Sequence, residues 1–301
     1  MMEKHIPVML DDCLEHLELK DNGTYVDLTL GRGGHSSEIL KRIPNGKLVA
    51  FDKDTQAIKE SGDRLSQISN NFNLIHSDNR YFKNELEKIG ITSVDGILLD
   101  LGVSSPQLDD ALRGFSYNKE ARLDMRMDQT QDLDAHFIIN NWSEEELVRI
   151  FYENADVKLP KRVAKAVVEN RPIDTTLELV DIIRNSLPAK IVRQKNPAKA
   201  VFQAVRIAVN NELDSLRDVL EQGITMLKPG GKFAIITFHS IEDRIVKRVF
   251  GSLTKDTTGK LPVMFEKEFT VKTIKPKKTE VELNRRSRSA KLRVLKKEQE
   301  R

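Results

Sequence analysis

The sequence predicts an α/β fold in which a mostly parallel sheet carries a helical segment inserted after its fourth strand. Short apolar strands alternate with amphipathic helices at the beginning of the chain and again near its end. Between these regions no convincing strand occurs and helix signals dominate. We therefore divide the chain into a first part of the sheet domain at 1–107, an all-helical insert at 108–205, and a second part of the sheet domain at 206–301.

The composition predicts a globular protein without a transmembrane helix. Apolar residues make up 39% of the 301 residues, and no apolar run approaches the ~18 residues that a membrane helix needs. The N-terminus lacks the apolar core of a signal peptide. The single cysteine, Cys13, excludes an internal disulfide framework, and the six histidines have no metal-ligand spacing. We therefore expect a cytoplasmic protein that holds no metal.

The glycine-rich stretch 27–36 is predicted to be a turn between the first strand and a helix. The residues before the glycines alternate and are rich in β-formers, whereas those after them have helical character. Glycines such as Gly31, Gly33 and Gly34 let the backbone approach a ligand closely, and a helix start offers unpaired N–H groups. The turn suits a ligand with a carboxylate or phosphate; the alternative is a tight turn without a ligand.

The second predicted strand ends at Asp52, which lies 21 residues after Gly31. An acid at this spacing meets ribose hydroxyls in nucleotide-binding folds, so the two signals together predict a nucleoside-containing cofactor. A dinucleotide is one option, but the G-x-G-x-x-G pattern fails at Ser36. The adjacent pair Gly33 and Gly34 suits close contact with an amino-acid-bearing nucleoside such as S-adenosylmethionine.

Two further strand ends carry polar residues. The third predicted strand, 72–76, is followed by Asn79, which is placed either to touch an adenine edge or to serve as an ordinary loop residue. The fourth, 94–100, ends at Asp100 and runs into a Ser-Ser-Pro-Gln turn at 104–107. Ligands bind outside the carboxyl ends of strands in open α/β sheets, so this acid and turn predict part of a site.

Helix signals fill the predicted insert. Ser143 with Glu146, and Thr175 with Glu178, form two capping boxes ahead of apolar residues at helical spacing. The stretch that precedes these helices, 113–128, mixes basic, aromatic and acidic residues without a clean period. We predict a ligand-facing loop there, with a solvated linker that has a few anchoring apolar residues as the alternative.

The α/β pattern resumes after the insert. A predicted helix at 212–227 stops at Lys-Pro-Gly-Gly, and a fifth strand at 232–238 ends at His239, ahead of another helix. Two strand-like stretches, 265–274 and 290–297, are placed to close the sheet as an antiparallel pair. The linker between them is basic, and from residue 271 onward Lys and Arg outnumber Asp and Glu by 12 to 4.

Seven segments of the sequence match a known family: 5–8 (HIPV), 31–36 (GRGGHS), 95–109 (DGILLDLGVSSPQLD), 113–116 (RGFS), 123–128 (LDMRMD), 202–207 (FQAVRI) and 238–244 (FHSIEDR). The chain resembles the bacterial S-adenosylmethionine-dependent 16S ribosomal RNA (cytosine-N4)-methyltransferases of the MraW type. The resemblance covers most of the chain. It implies a class I methyltransferase fold, Rossmann-like with a helical insert, and methylation of one cytidine N4 in the decoding centre of the small ribosomal subunit.

The resemblance also implies cofactor contacts at Gly33, Gly34, His35, Asp52, Asn79, Asp100 and Gln107, to which the glycine turn adds Gly31. The sequence departs from the family at two positions. Asn79 stands where an aromatic residue is expected, which weakens the predicted adenine contact. The family's Asn-Pro-Arg word appears here as Asn-Arg-Arg at 284–286, which adds positive charge.

Methyl transfer to cytosine N4 is predicted to be a direct in-line displacement that requires alignment of donor and acceptor. The exocyclic amine shares its lone pair with the ring, so it is a poor nucleophile. A hydrogen-bond acceptor on its N–H, in a site that excludes water, returns electron density to the nitrogen. The candidate acceptors are Asp100 and the backbone carbonyls of Ser104, Ser105 and Pro106. His239 is predicted either to contact the target or to satisfy the start of a helix.

The predicted partner is 16S ribosomal RNA within the small subunit, and the target base must leave its stack to react. Phe115, Tyr117 and Phe238 are unranked candidates for stacking on that base. Two alternatives remain at this stage: an NAD-dependent oxidoreductase, against which Ser36 and the Ser-Ser-Pro-Gln turn argue, and a non-catalytic RNA-binding assembly factor. The oligomeric state does not follow from the sequence.

Overall fold

The computed structural model describes residues 6–254 and 268–299. The chain forms two compact units. The first comprises the residues up to Gly102 and from Ser215 onward, and the second is Val103–Asp214. The second unit therefore begins earlier and ends later than the insert that we delimited at 108–205.

The first unit is built on a seven-stranded sheet. Its strands are β1 (Thr24–Asp27), β2 (Lys47–Asp52), β3 (Phe72–His76), β4 (Val94–Asp100), β5 (Leu227–Thr237), β6 (Phe269–Ile274) and β7 (Lys291–Lys297). They lie in the order β3-β2-β1-β4-β5-β7-β6. The first five run parallel, and β7 pairs antiparallel with both β5 and β6. This confirms the predicted mostly parallel sheet with an antiparallel pair at one edge.

Helices of the described residues follow in chain order: α1 (Leu10–Leu17), α2 (Gly34–Arg42), α3 (Thr55–Ser66), α4 (Phe82–Lys88), α5 (Ser105–Asp109), α6 (Ala135–Asn141), α7 (Glu144–Glu153), α8 (Pro160–Glu169), α9 (Thr176–Ser186), α10 (Ala189–Gln194), α11 (Ala198–Asn210), α12 (Glu212–Met226), α13 (Ser240–Leu253) and α14 (Lys278–Leu283). Short 3₁₀ turns occupy Asn79–Tyr81, Ala111–Arg113 and Arg285–Ser289. In the first unit the helices connect successive parallel strands, as the sequence predicts.

Alternate residues of the central strands pack into different core clusters. Val49 and Phe51 of β2 belong to one cluster, and Leu48 and Ala50 belong to another. Side chains alternate between the faces of a strand, so helices must cover both faces of this sheet. The packing fixes the carboxyl ends of β1, β2 and β4 at one edge.

Two regions of the first unit differ from the sequence prediction. The residues at 228–231, predicted to form a turn, lie within β5, and the pairing of β5 with β4 shifts register between Val94 and Gly96. The basic linker 275–289 contains α14 and a 3₁₀ turn, which the sequence pattern did not indicate. Residues 265–267 of the predicted strand lie outside the described residues.

The second unit contains no strand, and its helices pack around one apolar core. Both predicted capping boxes are confirmed: Ser143 pairs with Glu146 at the start of α7, and Thr175 pairs with Glu178 at the start of α9. Because these boxes satisfy N–H groups that a helix start leaves unpaired, they fix where each helix begins.

The stretch 113–128 packs against the core of the second unit through apolar residues. Leu123 and Met125 are fully buried in the core. Asn210 of α11 donates to the Met125 carbonyl at 2.8 Å, and its side-chain oxygen accepts from the Met127 N–H at 2.8 Å. This buried amide therefore holds the stretch against α11.

Candidate active site

Three carboxylates lie at the last positions of neighbouring parallel strands: Asp27 ends β1, Asp52 ends β2 and Asp100 ends β4. We call them the strand-end acids. Since β1 lies between β2 and β4, all three meet at one edge of the sheet. Burial raises the pKa of each, to about 6 for Asp52 and well above the ordinary value for Asp100. Close carboxylates with raised pKa values favour a positively charged ligand.

Asp27 holds the glycine turn against the sheet, a role that the sequence analysis missed. Its Oδ1 accepts a hydrogen bond from the Thr29 N–H at 3.0 Å, and its Oδ2 accepts from the Ser36 hydroxyl at 2.7 Å. The Thr29 Oγ1 in turn accepts from the Asp100 N–H at 2.7 Å. These bonds link the ends of β1 and β4. The available sequence signal was an acid at a strand end directly before the turn.

Gly31 leaves open space above the turn. Its φ is +49°, and a Cβ at this position would meet only the Thr29 carbonyl oxygen, at 3.9 Å. The Gly31 N–H donates to Asp52 Oδ2 at 2.8 Å, so the turn and the end of β2 are joined directly. Gly31 is therefore the turn glycine with room for close approach by a ligand.

The other two turn glycines serve the packing of the chain itself. A Cβ on Gly33 would lie 3.1 Å from the Ser61 hydroxyl, and its φ is +70°. A Cβ on Gly34 would overlap the ring of Pro7. The missing side chain of Gly34 is thus required by the N-terminal segment, which packs directly on the start of α2.

The Asp52 carboxylate can accept further hydrogen bonds. Its Oδ2 accepts from Gly31, and its Oδ1 accepts from the Asp54 N–H at 2.9 Å. These bonds lower its pKa, but burial and the charges of Asp54 and Asp27 outweigh them and leave it at about 6. A carboxylate oxygen accepts two hydrogen bonds, so each oxygen retains a lone pair for a ligand hydroxyl.

Two buried oxygens at this edge have no hydrogen-bond partner among the residues that the structure describes: Asp100 Oδ1 and Asn79 Oδ1. The Asn79 Nδ2 donates weakly to the Leu28 carbonyl, at 3.4 Å. Buried polar atoms in native proteins are nearly always paired, and a ligand is one way to complete them. Both residues are predicted ligand contacts, and the strand-end acids and the open turn at Gly31 complete a surface that fits a cationic, donor-rich ligand.

His35 lies between the N-terminal segment and β4. Its Nε2 contacts the Val8 carbonyl oxygen at 3.1 Å, and its Nδ1 lies 3.8 Å from Asp100 Oδ2. The ring therefore occupies one side of the Asp100 carboxylate, and Oδ1 is left on the other side.

The predicted Ser-Ser-Pro-Gln turn is the start of the short helix α5, in the second unit. The Ser104 N–H donates to Gln107 Oε1 at 3.0 Å, so this glutamine caps the helix. The carbonyls of Ser104 and Pro106 each accept a helical N–H four residues later. Two of the three carbonyls that we considered as acceptors are thus already engaged, which the sequence pattern did not show. The Ser105 hydroxyl is buried and has no partner among the described residues.

His239 satisfies the start of α13, the second of its two predicted roles. It is the N-cap of that helix and forms a capping box with Glu242. Glu242 accepts from the N–H groups of Phe238 and His239 at 2.8 and 3.2 Å. The His239 Nε2 lies 3.0 Å from Glu242 Oε1, so its ring is directed at the first turn of its own helix.

The three candidate stacking residues differ in exposure. Phe115 is only 6% exposed within the core of the second unit, so it is not available to a base. Tyr117 is half-buried and packs edge-on against Phe202, with ring centroids 5.9 Å apart. Phe238 is half-buried at the end of β5, where its ring would be 3.5 Å from a Cβ on Gly102. Tyr117 and Phe238 remain candidates.

Known proteins match this sequence over nearly all of its length. The MraW methylase family matches residues 2–298. The chain belongs to the MraW methylase family. It is therefore a methyltransferase, and its Rossmann-like sheet with a helical insertion is the class I methyltransferase fold that the resemblance implied.

Individual relatives of the family match as completely. The ribosomal RNA small subunit methyltransferase H of Mycoplasmopsis agalactiae is 57% identical, over 98% of this chain and 99% of its own length. The protein of the same name from Mycoplasmopsis pulmonis is also 57% identical, over 98% of this chain and 100% of its own. The solved structure of an rRNA methylase from Streptococcus thermophilus aligns with 99% of this chain over 100% of its own length. The sequence identity is 15% and the TM-score is 0.45. The family assignment rests on the sequence matches.

Neither a metal site nor a membrane helix is found in residues 6–254 and 268–299. No three or more His, Cys, Asp or Glu side chains are grouped to hold a metal ion. No helix of these residues has the length and apolar character to cross a bilayer.

Cys13 is expected to be dispensable for methyl transfer. It is fully buried in α1, and burial, with the nearby charges of Asp100 and Asp12, raises the pKa of its thiol well above the ordinary value. Such a thiol is no nucleophile, because the thiolate is the reactive form. Cys13→Ala and Cys13→Ser are predicted to retain activity in a methyl-incorporation assay, the serine with some loss of stability from its buried hydroxyl. A folded, cofactor-binding Cys13→Ala enzyme that transfers no methyl would refute this.

Proposed function

We propose that this protein transfers a methyl group from S-adenosylmethionine to the exocyclic N4 of one cytidine in the decoding centre of 16S ribosomal RNA. The observation that carries the proposal is the full-length match to relatives named ribosomal RNA small subunit methyltransferase H. The proposed target base, its methylated atom and its position in the RNA follow from the sequence motifs that resemble those of the cytosine-N4 methyltransferases.

The cofactor is assigned to the edge formed by the strand-end acids and the glycine turn. S-adenosylmethionine, when bound, supplies an activated methyl group on a positively charged sulfonium. Asp52 accepts hydrogen bonds from ribose hydroxyls, and Asn79 contacts adenine through its unpaired oxygen. The turn at Gly31 admits close approach, and His35 borders the site beside Asp100. The negative charge of the strand-end acids stabilises a cationic donor.

The acceptor for the target amine is assigned to Asp100. Its backbone is fixed by the bond to Thr29, its Oδ2 faces His35, and its Oδ1 has no partner among the described residues. As the nitrogen–carbon bond forms and the carbon–sulfur bond breaks, the amine must lose one proton. Asp100 Oδ1 first accepts a hydrogen bond from this N–H and then takes the proton. The raised pKa of Asp100 makes it a stronger base than an ordinary aspartate once it is ionised.

The roles of the remaining predicted residues are narrower. Gln107 and Ser104 shape the start of α5. Ser105 keeps an unpaired hydroxyl and is the candidate within this turn for a polar contact to the target. Pro106 and His239 fix backbone conformation, at helix starts in the second and first unit respectively.

Membership of a methylase family argues against the alternative of a non-catalytic RNA-binding assembly factor, and the experiment that tests the proposal also tests this alternative. Incubation of purified protein with methyl-labelled S-adenosylmethionine and small ribosomal subunits separates the two. Under the proposal, label enters 16S ribosomal RNA in proportion to enzyme and time. RNA that binds the protein tightly but never gains label would support the rival instead.

The 3₁₀ turn Arg285–Ser289 is expected to contribute to RNA affinity. Arg285, Arg286 and Arg288 are exposed, and Asn284 fixes the turn by donating to the Ile6 carbonyl at 3.1 Å. Replacing the three arginines with glutamine is predicted to flatten the log–log salt dependence of RNA binding by about two, since each phosphate contact releases counterions. The slope is read from binding titrations at several salt concentrations. A slope equal to that of the wild type would place the RNA elsewhere.

A further inference from the structure

The second unit contains the longest stretch of the chain without an acidic residue. Between Asp181 and Glu212 no Asp or Glu occurs, whereas six Lys or Arg do. The whole chain is nearly balanced, with 49 basic and 46 acidic residues, and the basic region from residue 271 onward still contains four acids. The stretch from the end of α9 to the end of α11 therefore carries positive charge that no acid within it offsets.

Five of these six cations face solvent: Arg184, Lys190, Arg193, Lys195 and Lys199. We call them the insert cations. None of their side chains makes a hydrogen bond or ion pair with any residue in 6–254 or 268–299. The sixth, Arg206, differs, because it is largely buried and forms a bidentate pair with Glu212 at 2.8 and 2.9 Å.

The pairing state of the insert cations contrasts with that of the surface cations at the ends of α2 and α4. On α2, Lys41 and Arg42 both contact Glu38, at 2.7 and 2.6 Å. On α4, Lys88 contacts Glu85 at 2.7 Å. Acids at helical spacing offset the positive charge there, as is usual for a solvated helix face. Four of the insert cations have no acid three or four residues away, and Arg184 makes no ion pair with Asp181, three residues before it on α9, so their charge is available to an anionic partner.

Short helices hold the insert cations in fixed places. On α10, Lys190 and Arg193 are three residues apart and share a face, while Ile191 and Val192 pack against the core. Arg184 lies in the last turn of α9, and Lys195 and Lys199 flank the start of α11. Because the supporting backbone is ordered by packing, little conformational freedom of the backbone is lost when a partner binds.

We propose that the insert cations form a surface that binds the phosphate backbone of the ribosomal RNA substrate. This inference rests on the proposed function, which supplies the RNA, and it names the part of the insert that contacts it. Unpaired cations within one stretch repel each other, and RNA phosphates relieve that repulsion while releasing condensed counterions. The contacts position the substrate and carry no sequence information themselves.

The test is the salt dependence of binding to a 16S ribosomal RNA transcript. The test variant removes five charges: Arg184→Gln, Lys190→Gln, Arg193→Gln, Lys195→Gln and Lys199→Gln. At about 0.7 per phosphate contact, its log–log slope should flatten by roughly three to four relative to wild type. S-adenosylmethionine affinity and the melting temperature should be unchanged, because these exposed side chains make no hydrogen bond or ion pair with described residues.

Two further variants serve as controls, one for the number of charges removed and one for the identity of the side chains. A matched control removes five exposed cations from the first unit: Lys20→Gln, Lys41→Gln, Arg42→Gln, Lys59→Gln and Lys88→Gln. It should keep a slope within about one of the wild type. A charge-preserving variant exchanges Lys and Arg at the five insert positions and should keep the wild-type slope.

The outcomes test the RNA-binding role of the insert cations and the proposed function independently. If the test variant flattens the slope no more than the matched control, while wild-type enzyme methylates ribosomal RNA, the surface is refuted and the function stands. If wild-type enzyme transfers no methyl to ribosomal RNA, the function fails whatever the slopes. A charge-preserving variant that binds as weakly as the test variant would also refute an electrostatic surface.

Discussion

Asp100→Asn is expected to slow methyl transfer by about 10²- to 10³-fold, the range found when a hydrogen-bonding group that acts in the transition state is removed. Asparagine keeps the shape of the side chain, but an amide cannot take the proton that the amine loses. The measurement is the single-turnover rate of methyl transfer to small subunits at saturating S-adenosylmethionine, which separates the chemical step from cofactor binding.

Asp95→Asn is the matched control for Asp100→Asn. Asp95 is a largely buried acid on the same strand, but it pairs with Lys228 at 2.7 Å and with Lys20 at 3.3 Å, away from the glycine turn. It should remain active once folding is verified. If Asp100→Asn is as fast as Asp95→Asn, Asp100 is not the acceptor.

The pH dependence gives a second readout on Asp100. Burial, and then the charges of Asp27 and Glu242, raise its pKa well above the ordinary value, so it stays protonated to a higher pH than an ordinary aspartate. A protonated carboxyl cannot accept the amine proton. The transfer rate at saturating cofactor should therefore rise with pH through the raised pKa, and Asp100→Asn should lose that dependence.

Asp52→Ala is expected to weaken S-adenosylmethionine binding by about one to two decades, because hydrogen bonds to a charged group contribute roughly 1.5–3 kcal/mol. Calorimetry on the folded variant measures the effect directly. Part of the loss will come from the Gly31 and Asp54 N–H groups, which Asp52 holds in place. Asp52→Asn keeps one acceptor oxygen, which can still accept from one of the two N–H groups, so it should bind more tightly than Asp52→Ala. Unchanged affinity in both variants would remove Asp52 from the site.

The affinity for the cofactor should also depend on pH through Asp52. Its pKa is raised to about 6, so lowering the pH through 6 protonates it and weakens its acceptance of ribose hydroxyls. Wild-type affinity should fall as the pH is lowered from 7 to 5, and Asp52→Asn should show a flatter profile. A parallel decline in both proteins would assign the titration to another group.

Much of the sheet could be predicted because its local pattern is unambiguous. The apolar runs of β2 and β4 end at Asp52 and Asp100, β3 ends at His76, and the observed bounds of the three strands match those predicted. A parallel strand that is buried on both faces is mostly apolar, so a polar residue directly after an apolar run marks its end. The acids that bear on the site were found because parallel strands place their carboxyl ends at one edge.

The rest depended on contacts between distant parts of the chain. Pro7 fills the space above Gly34, and nothing in the local pattern of either residue indicates the other. Asp27 became part of the site only when Thr29 and Ser36 were seen to bond to it. For His239, a helix-capping role and a ligand contact require the same position at a strand end, so the sequence alone could not distinguish between these two roles.

The helix α5 shows a different limit. With five residues it is too short for an apolar period to be recognised, so 104–107 was predicted as a turn with carbonyls open to a ligand. Its helical hydrogen bonds engage two of those carbonyls. This leaves Asp100 as the acceptor that the site supports best.

The identity of the methylated nucleoside distinguishes direct methylation at N4 of cytosine from methylation at carbon 5. Small-subunit RNA is methylated by the purified enzyme, digested to nucleosides and analysed by mass spectrometry. Methylation at carbon 5 of cytosine proceeds through a thiolate that adds to the ring, and the one cysteine here is buried with a raised pKa. Direct transfer to N4 with Asp100 as the proton acceptor predicts N4-methylcytidine at a single position. Wild-type and Cys13→Ala enzyme should form it at the same rate, and Asp100→Asn should form it at a greatly reduced rate. A product that carries 5-methylcytidine, or Asp100→Asn enzyme that forms N4-methylcytidine at the wild-type rate, would contradict it.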